Sequence, residues 1–159
     1  MYICVTFKLP IIMQKEIKQT WHFNQPPQEV WEYLTKPELI EQWLAKTDFK
    51  PVMGQKFQFT NSCKTDDNKP DYTYCQVLEI IPHKLLSYSW RKGTNEKEIT
   101  VDSVVTWTLT DKNGETELQL QHNGFTLIED TIVHSNGWNE CLNKITELLN
   151  ASTNANTNS

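Results

Sequence analysis

The sequence predicts an α+β fold: a strongly curved antiparallel sheet with one long helix across its concave face. Two observations predict it. The elements are segregated rather than alternating, running strand, two short helices, several strands, then a long helix, and segregated order marks α+β rather than α/β. The hydrophobic period also changes late in the chain. In the strands read between about residues 55 and 123 apolar residues recur every second position, as in half-buried strands; from residue 128 they recur every third or fourth, as along one helix face.

The first strand covers about Gln14 to Phe23, with Ile17, Gln19, Trp21 and Phe23 on one face and Lys18, Thr20 and His22 on the other. "NQPPQEVWEYL" opens a helix whose prolines fit a first turn, where amide hydrogens have no intrahelical acceptor. "TKPELIEQWL" starts the second short helix; Thr35 and Glu38 have capping-box spacing. "QKFQFTN" is a strand with Phe57 and Phe59 on one side, followed by the charged, turn-rich loop "KTDDNKPD". "YTYCQVLEII" is a longer strand ended by Pro82. "KLLSYSW" places Leu86, Tyr88 and Trp90 together, and "RKGTNEKE" reads as a polar connection. "TVDSVVTWTL" aligns Val101, Val105, Trp107 and Leu109. "DKNG" then turns the chain, because Asn113-Gly114 readily adopts positive φ. In the returning strand "ETELQLQHN", Leu118, Leu120 and His122 share a face.

The last helix carries Ile128, Ile132, Ser135, Trp138, Leu142, Ile145 and Leu149 as a stripe over about twenty residues. Gly137 within it costs up to about 1 kcal/mol of helix propensity. A glycine there allows close approach of sheet or ligand, or a kink. The polar tail 151–159 is expected to be disordered, and the domain to span residues 14–150.

At 159 residues the chain is one domain able to bury a core. The formal net charge of −5, with no basic stripe, argues against nucleic-acid binding. Residues 1–13 are apolar but broken by Lys8 and Pro10, and too short for a membrane span, so an N-terminal extension without membrane role is expected. Cys4, Cys63, Cys75 and Cys141 have no metal-ligand spacing, so no metal site is expected. Cys63 and Cys75 flank one hairpin and admit a cross-strand disulfide. With no export signal in view, reduced thiols and a cytoplasmic location are expected instead. No motif calls for a cofactor.

Six Trp, six Phe and five Tyr are many for this length, and aromatics line cavities for apolar ligands as well as filling cores. The candidate ligand-binding residues are Trp43, Phe57, Tyr74, Tyr88 and Trp90, with Trp107, Phe125 and Trp138. Trp138 is expected to line an open pocket rather than fill core. His122 joins them as the imidazole ending an apolar strand face. Its readings are a hydrogen-bonded structural histidine, a ligand contact or a catalytic base. A base needs an orienting partner, and no carboxylate shares its strand face.

Five stretches in order resemble one superfamily: "PPQEVWEYLTKPELIEQWL", "GQKFQF", "VLEIIPHKLLSYSW", "VTWTL" with "NGETELQLQHNGF", and "GWNECLNKITELL". They resemble the START-like (SRPBCC) superfamily and, within it, proteins similar to the activator of the Hsp90 chaperone ATPase. The resemblance covers about residues 14–150 and implies a helix-grip fold, in which the sheet grips the C-terminal helix. It also implies a histidine at the place of His122, followed by Gly124-Phe125. Members bind lipids, sterols, polyketides or plant hormones, and some are cyclases or aromatases. Chaperone activators carry a further N-terminal domain, for which residues 1–13 leave no room. The expected function is therefore non-catalytic binding of a hydrophobic or aromatic small molecule between sheet and helix. The alternatives are a cyclase or aromatase acting on a polyketide-like substrate, or a chaperone-associated stress protein. Deleting residues 1–13 should leave the melting temperature nearly unchanged in a thermal unfolding experiment; a large drop would show that this segment is docked.

Overall fold

The computed structural model describes residues 15–64 and 70–157. The readings of residues 1–13, of the side chain of Cys63 and of the loop 65–69 lie outside the described residues. The elements are β1 (Ile17–Phe23), α1 (Pro27–Thr35), α2 (Pro37–Trp43), β2 (Lys46–Thr47), β3 (Lys56–Lys64), β4 (Pro70–Ile81), β5 (Leu85–Asn95), β6 (Glu98–Lys112), β7 (Glu115–Asn123) and α3 (Ile128–Thr157). All seven strands form one antiparallel, curled sheet in the order β1-β7-β6-β5-β4-β3-β2, as the α+β helix-grip reading requires. The first strand thus crosses to the edge beside the last one, and α1 and α2 occupy the crossover.

Register puts the alternating residues of neighbouring strands on one inner face. Ile17 pairs with His122, His122 with Val105, Val105 with Tyr88 and Tyr88 with Val77. A second row runs Leu120, Trp107, Leu86 and Ile80. Directly paired residues share a sheet face, so each row delivers an apolar strip to the helix. From α3, Trp138, Leu142, Ile145 and Leu149 complete this core. Trp43 ties α2 down: its indole N–H donates to the Tyr33 carbonyl at 2.8 Å, and its ring meets Trp107 edge-on at 6.0 Å.

Several local readings are corrected. Thr35 does not cap α2. It ends α1, and its hydroxyl donates to the Trp31 carbonyl at 2.8 Å, so Lys36 takes the N-cap position without a side-chain bond. The "RKGTNEKE" segment is mostly strand. Lys92 pairs with Val101 and Asn95 with Glu98, and the Asn95 side chain accepts the amides of Lys97 and Glu98, closing a tight hairpin. β2 has too few residues to show a period and has no sequence signature. α3 runs on to Thr157. Its last turns are anchored: the buried Gln25 amide donates to the Leu149 carbonyl at 3.2 Å and to the Thr153 hydroxyl at 2.7 Å. Ile132 leaves the stripe and is 54% exposed, whereas Thr131 and His134 turn inward in its place.

The hairpin at Asn113-Gly114 forms as predicted, with φ of 58° and 89° and the Gly114 amide donating to Asp111 Oδ1 at 2.8 Å. Gly124 has a stricter role. Its φ is 109°, and a Cβ there would lie 2.9 Å from both the Asp102 carbonyl oxygen and Ser103 Cα. Only glycine lets the chain leave β7 this close to β6 and set Phe125 against His122. Gly124→Ala should therefore destabilise by at least about 1–3 kcal/mol in denaturant unfolding. An unchanged midpoint would mean that the turn relaxes freely.

Candidate functional site

Two histidine–tryptophan pairs join the helix to the sheet. The Trp138 indole N–H donates to His122 Nδ1 at 2.9 Å. An indole nitrogen can only donate, so Nδ1 must accept and the imidazole proton sits on Nε2. That nitrogen lies 2.8 Å from Ser103 Oγ and donates to it, while the Ser103 hydroxyl donates to the Trp90 carbonyl at 2.8 Å. The same logic applies one helical turn earlier. The Trp90 indole N–H donates to His134 Nε2 at 3.2 Å, and His134 Nδ1–H donates to the Asp130 carbonyl at 2.8 Å. Both imidazoles are thus neutral, of opposite tautomer, and each accepts an indole proton. Their ring centroids lie 5.4 Å apart, with Phe125 packed against both.

This arrangement decides the chemistry open to His122. It is 0% exposed, and both ring nitrogens are engaged. Burial, with His134 close by, pushes its pKa down to about 3. A protonated imidazole would turn Nδ1 into a donor facing another donor. Burial likewise lowers His134, and the Lys92 ammonium adds to that effect. Tyr88 is buried, accepts the Trp107 indole N–H at 2.9 Å, and has its hydroxyl pKa raised by burial.

Among the other residues predicted for a cavity, the structure brings most together but packs them. Trp107 and Trp138 meet edge to face at 5.4 Å, Trp90 and Trp138 at 5.2 Å, and Phe57, Phe59 and Tyr88 form a cluster. Side chains therefore occupy the middle of the expected cavity. Trp138 is 3% exposed, packed against Trp90 and Trp107, and also lines an apolar groove. Tyr74 does not join the set: it stands on the outer sheet face with Tyr72. There it borders a polar depression of about 240 Å³ that carries Asp48, Lys56, Arg91 and Glu96 and gives an apolar ligand little to bind.

An apolar groove of about 190 Å³ remains between the end of α2, β5 and the first half of α3. Leu44 after α2, Trp90 and Lys92 from β5, and Val133, His134, Gly137, Trp138 and Cys141 from α3 line it. Gly137 does not serve close approach to the sheet. A Cβ there would meet nothing within 4 Å, so the missing side chain leaves open space. Burial raises the Cys141 thiol pKa, which keeps it protonated and a poor nucleophile. Cys75 is a buried free thiol paired across strands with Phe57. Among the described residues no His, Cys, Asp and Glu group is placed to hold a metal ion, and no helix is long and apolar enough to cross a membrane.

Sequence reading missed Ser103, His134, Lys92 and Leu44. Two of these had a signal. Ser103 is the one polar residue in the inward alternation Val101, Ser103, Val105, Trp107, and so a ready partner for an inward His122. His134 stands four residues before Trp138, on the same helix side.

The buried neutral imidazoles have a measurable consequence. The unfolded chain takes up a proton at His122 and at His134 near pH 6.5; burial lowers both in the folded chain and holds His122 neutral down to about 3. Their contribution is complete above pH 6.5 and is lost as pH falls below it, by up to about 1.4 kcal/mol per pH unit for each proton. Urea unfolding at several pH values should show this slope, and His122→Gln should flatten it by one proton while costing about 1–3 kcal/mol at neutral pH. Parallel pH profiles for parent and variant would mean that His122 titrates freely.

The sequence profile of the family described as "Activator of Hsp90 ATPase homolog 1-like protein" matches residues 24–150. Among curated proteins none matches the chain. Among solved structures, protein MLL2253 from Mesorhizobium loti is 32% identical, with a TM-score of 0.73 over 86% of this chain and 97% of that one. CalU16 from Micromonospora echinospora is 21% identical, with a TM-score of 0.67 over 84% of this chain and 75% of that one. DynU16, described as a putative protein in the dynemicin biosynthetic locus, is 18% identical, with a TM-score of 0.73 over 87% of this chain and 48% of that one. The last two share the fold alone; the profile match and the M. loti structure place the chain in the Activator of Hsp90 ATPase homolog 1-like family of the START-like superfamily.

Proposed function

We propose that the chain is a non-catalytic binding module for a small apolar, aromatic molecule, seated in the groove between β5 and α3. The observation that carries this reading is the open space over Gly137, framed by Trp90, Trp138, Val133 and Leu44. Flat indole faces and aliphatic neighbours favour a planar ring. At about 190 Å³ the groove is smaller than the roughly 300–1,000 Å³ of most drug-sized sites, which favours one or two fused rings over a sterol or lipid. The fold of DynU16, a putative protein in the dynemicin biosynthetic locus, agrees with small-molecule handling. The free Cys75 and Cys141 thiols support a reducing, cytoplasmic setting.

The cyclase or aromatase reading is the weaker one. It needs a proton-moving group within about 3 Å of a substrate. His122 is enclosed with both nitrogens engaged, Tyr88 is enclosed too, and His134 at the groove already accepts the Trp90 indole proton. Association with a chaperone rests on the family description alone.

Titrating the protein with 2-naphthol, read by tryptophan fluorescence, should give saturable binding at or below about 1 mM. Gly137→Leu fills the open space and should abolish that binding while keeping the melting temperature or raising it, since leucine is the better helix former. Absence of saturation in the parent, or undiminished binding by the variant, would remove the groove as the site.

A further inference from the structure

We propose that the groove selects a planar aromatic acid, with its rings against Trp90 and Trp138 and its carboxylate on the Lys92 ammonium. This rests on the groove being the binding site and goes further by naming the ligand's charge. Among the described side chains that line the groove, Lys92 is the one that carries a formal charge, because His134 is held neutral by accepting the Trp90 indole proton. Its field reaches the apolar lining, for the ammonium is among the groups that depress His134.

Lys92 is anchored but not saturated. Its Nζ lies 3.2 Å from Asp71 Oδ2, and its side chain keeps 28% of its exposure. An ammonium has three donors, so one bond to Asp71 leaves others for a ligand. Asp71 holds the ammonium in place but is not part of the groove lining. A carboxylate entering beside the rings therefore meets a positioned, partly desolvated cation, where charge-assisted hydrogen bonds gain over those in bulk water. A cationic ring would meet repulsion at the same point. The overall charge of −5 opposes any anion from a distance, but screening confines that field to about one Debye length, roughly 8 Å at physiological salt. The contact with Lys92 is local and survives.

Three probes of one shape separate the possibilities: 2-naphthoate, 2-naphthol and 2-naphthylmethylammonium, titrated at neutral pH and physiological salt. The parent should bind naphthoate about five-fold or more tighter than naphthol, in line with a partly screened ion pair, and the ammonium weakest. Lys92→Met should abolish the preference, so that the variant binds naphthoate no tighter than it binds naphthol; Lys92→Arg should keep the preference, which controls for damage to β5. Equal binding of naphthoate and naphthol, unaltered by Lys92→Met, overturns the charge selection and leaves the groove intact as a neutral site. Tightest binding by the ammonium overturns it in favour of Asp71. No saturable binding by any probe overturns this inference together with the binding function beneath it.

Discussion

The need of each buried indole N–H for an acceptor governs how the helix meets the sheet. Trp138 and Trp90 present donors in a region shielded from water, and an unpaired buried donor costs about 1–3 kcal/mol. His122 and His134 supply the acceptors, which fixes their tautomers and keeps them uncharged. Ser103 then closes the chain of bonds onto the Trp90 carbonyl. One consequence is positional. β5, β6, β7 and α3 each contribute a member, so α3 cannot slide or rotate without orphaning several groups at once. Gln19 and Gln25 add bonds from the first strand and the crossover to helix carbonyls, at Ser135 and Leu149.

The same network shapes the surface available for binding. Three tryptophans and two histidines pack together between sheet and helix, and apolar space stays open beside the first half of α3. Gly137 keeps that place open, and Val133, 67% exposed, stands beside it. A group that both holds a fold and borders a groove is poorly suited to changing its protonation in each turnover. The imidazoles here serve as fixed dipoles.

Patterns of short range were legible in the sequence. Period-two alternation located the inner residues of β1, β5, β6 and β7, because a pleated strand sends successive side chains to opposite faces whatever its partner. Asn113-Gly114 announced its hairpin through backbone sterics alone. Where a signal depended on a competing partner, it misled. The Thr35 hydroxyl could have accepted an α2 amide as a cap; at the end of α1 it instead donates to the Trp31 carbonyl. The polar strand ends around Gly93 looked like loop because their pairing leaves both faces largely wet. Nothing in the composition of the tail announces the bond from Gln25 to Thr153, which spans 128 residues of sequence.

The amino-acid sequence by itself determined the segregated α+β order, the aromatic inner faces and the placement of an imidazole at the end of an apolar row. These follow from local geometry: two residues per pleat, three to four per helical turn, and glycine where φ is positive. Only the tertiary structure decided that His122 meets Trp138, that Trp90 meets His134 across 44 residues, and that Tyr74 faces outward. It also decided which aromatic side chains pack on one another and that open space lies over Gly137. Which donor reaches which acceptor depends on sheet curl, strand register and the angle at which the helix lands. Those are set by all the packed residues together, and no window of sequence contains them.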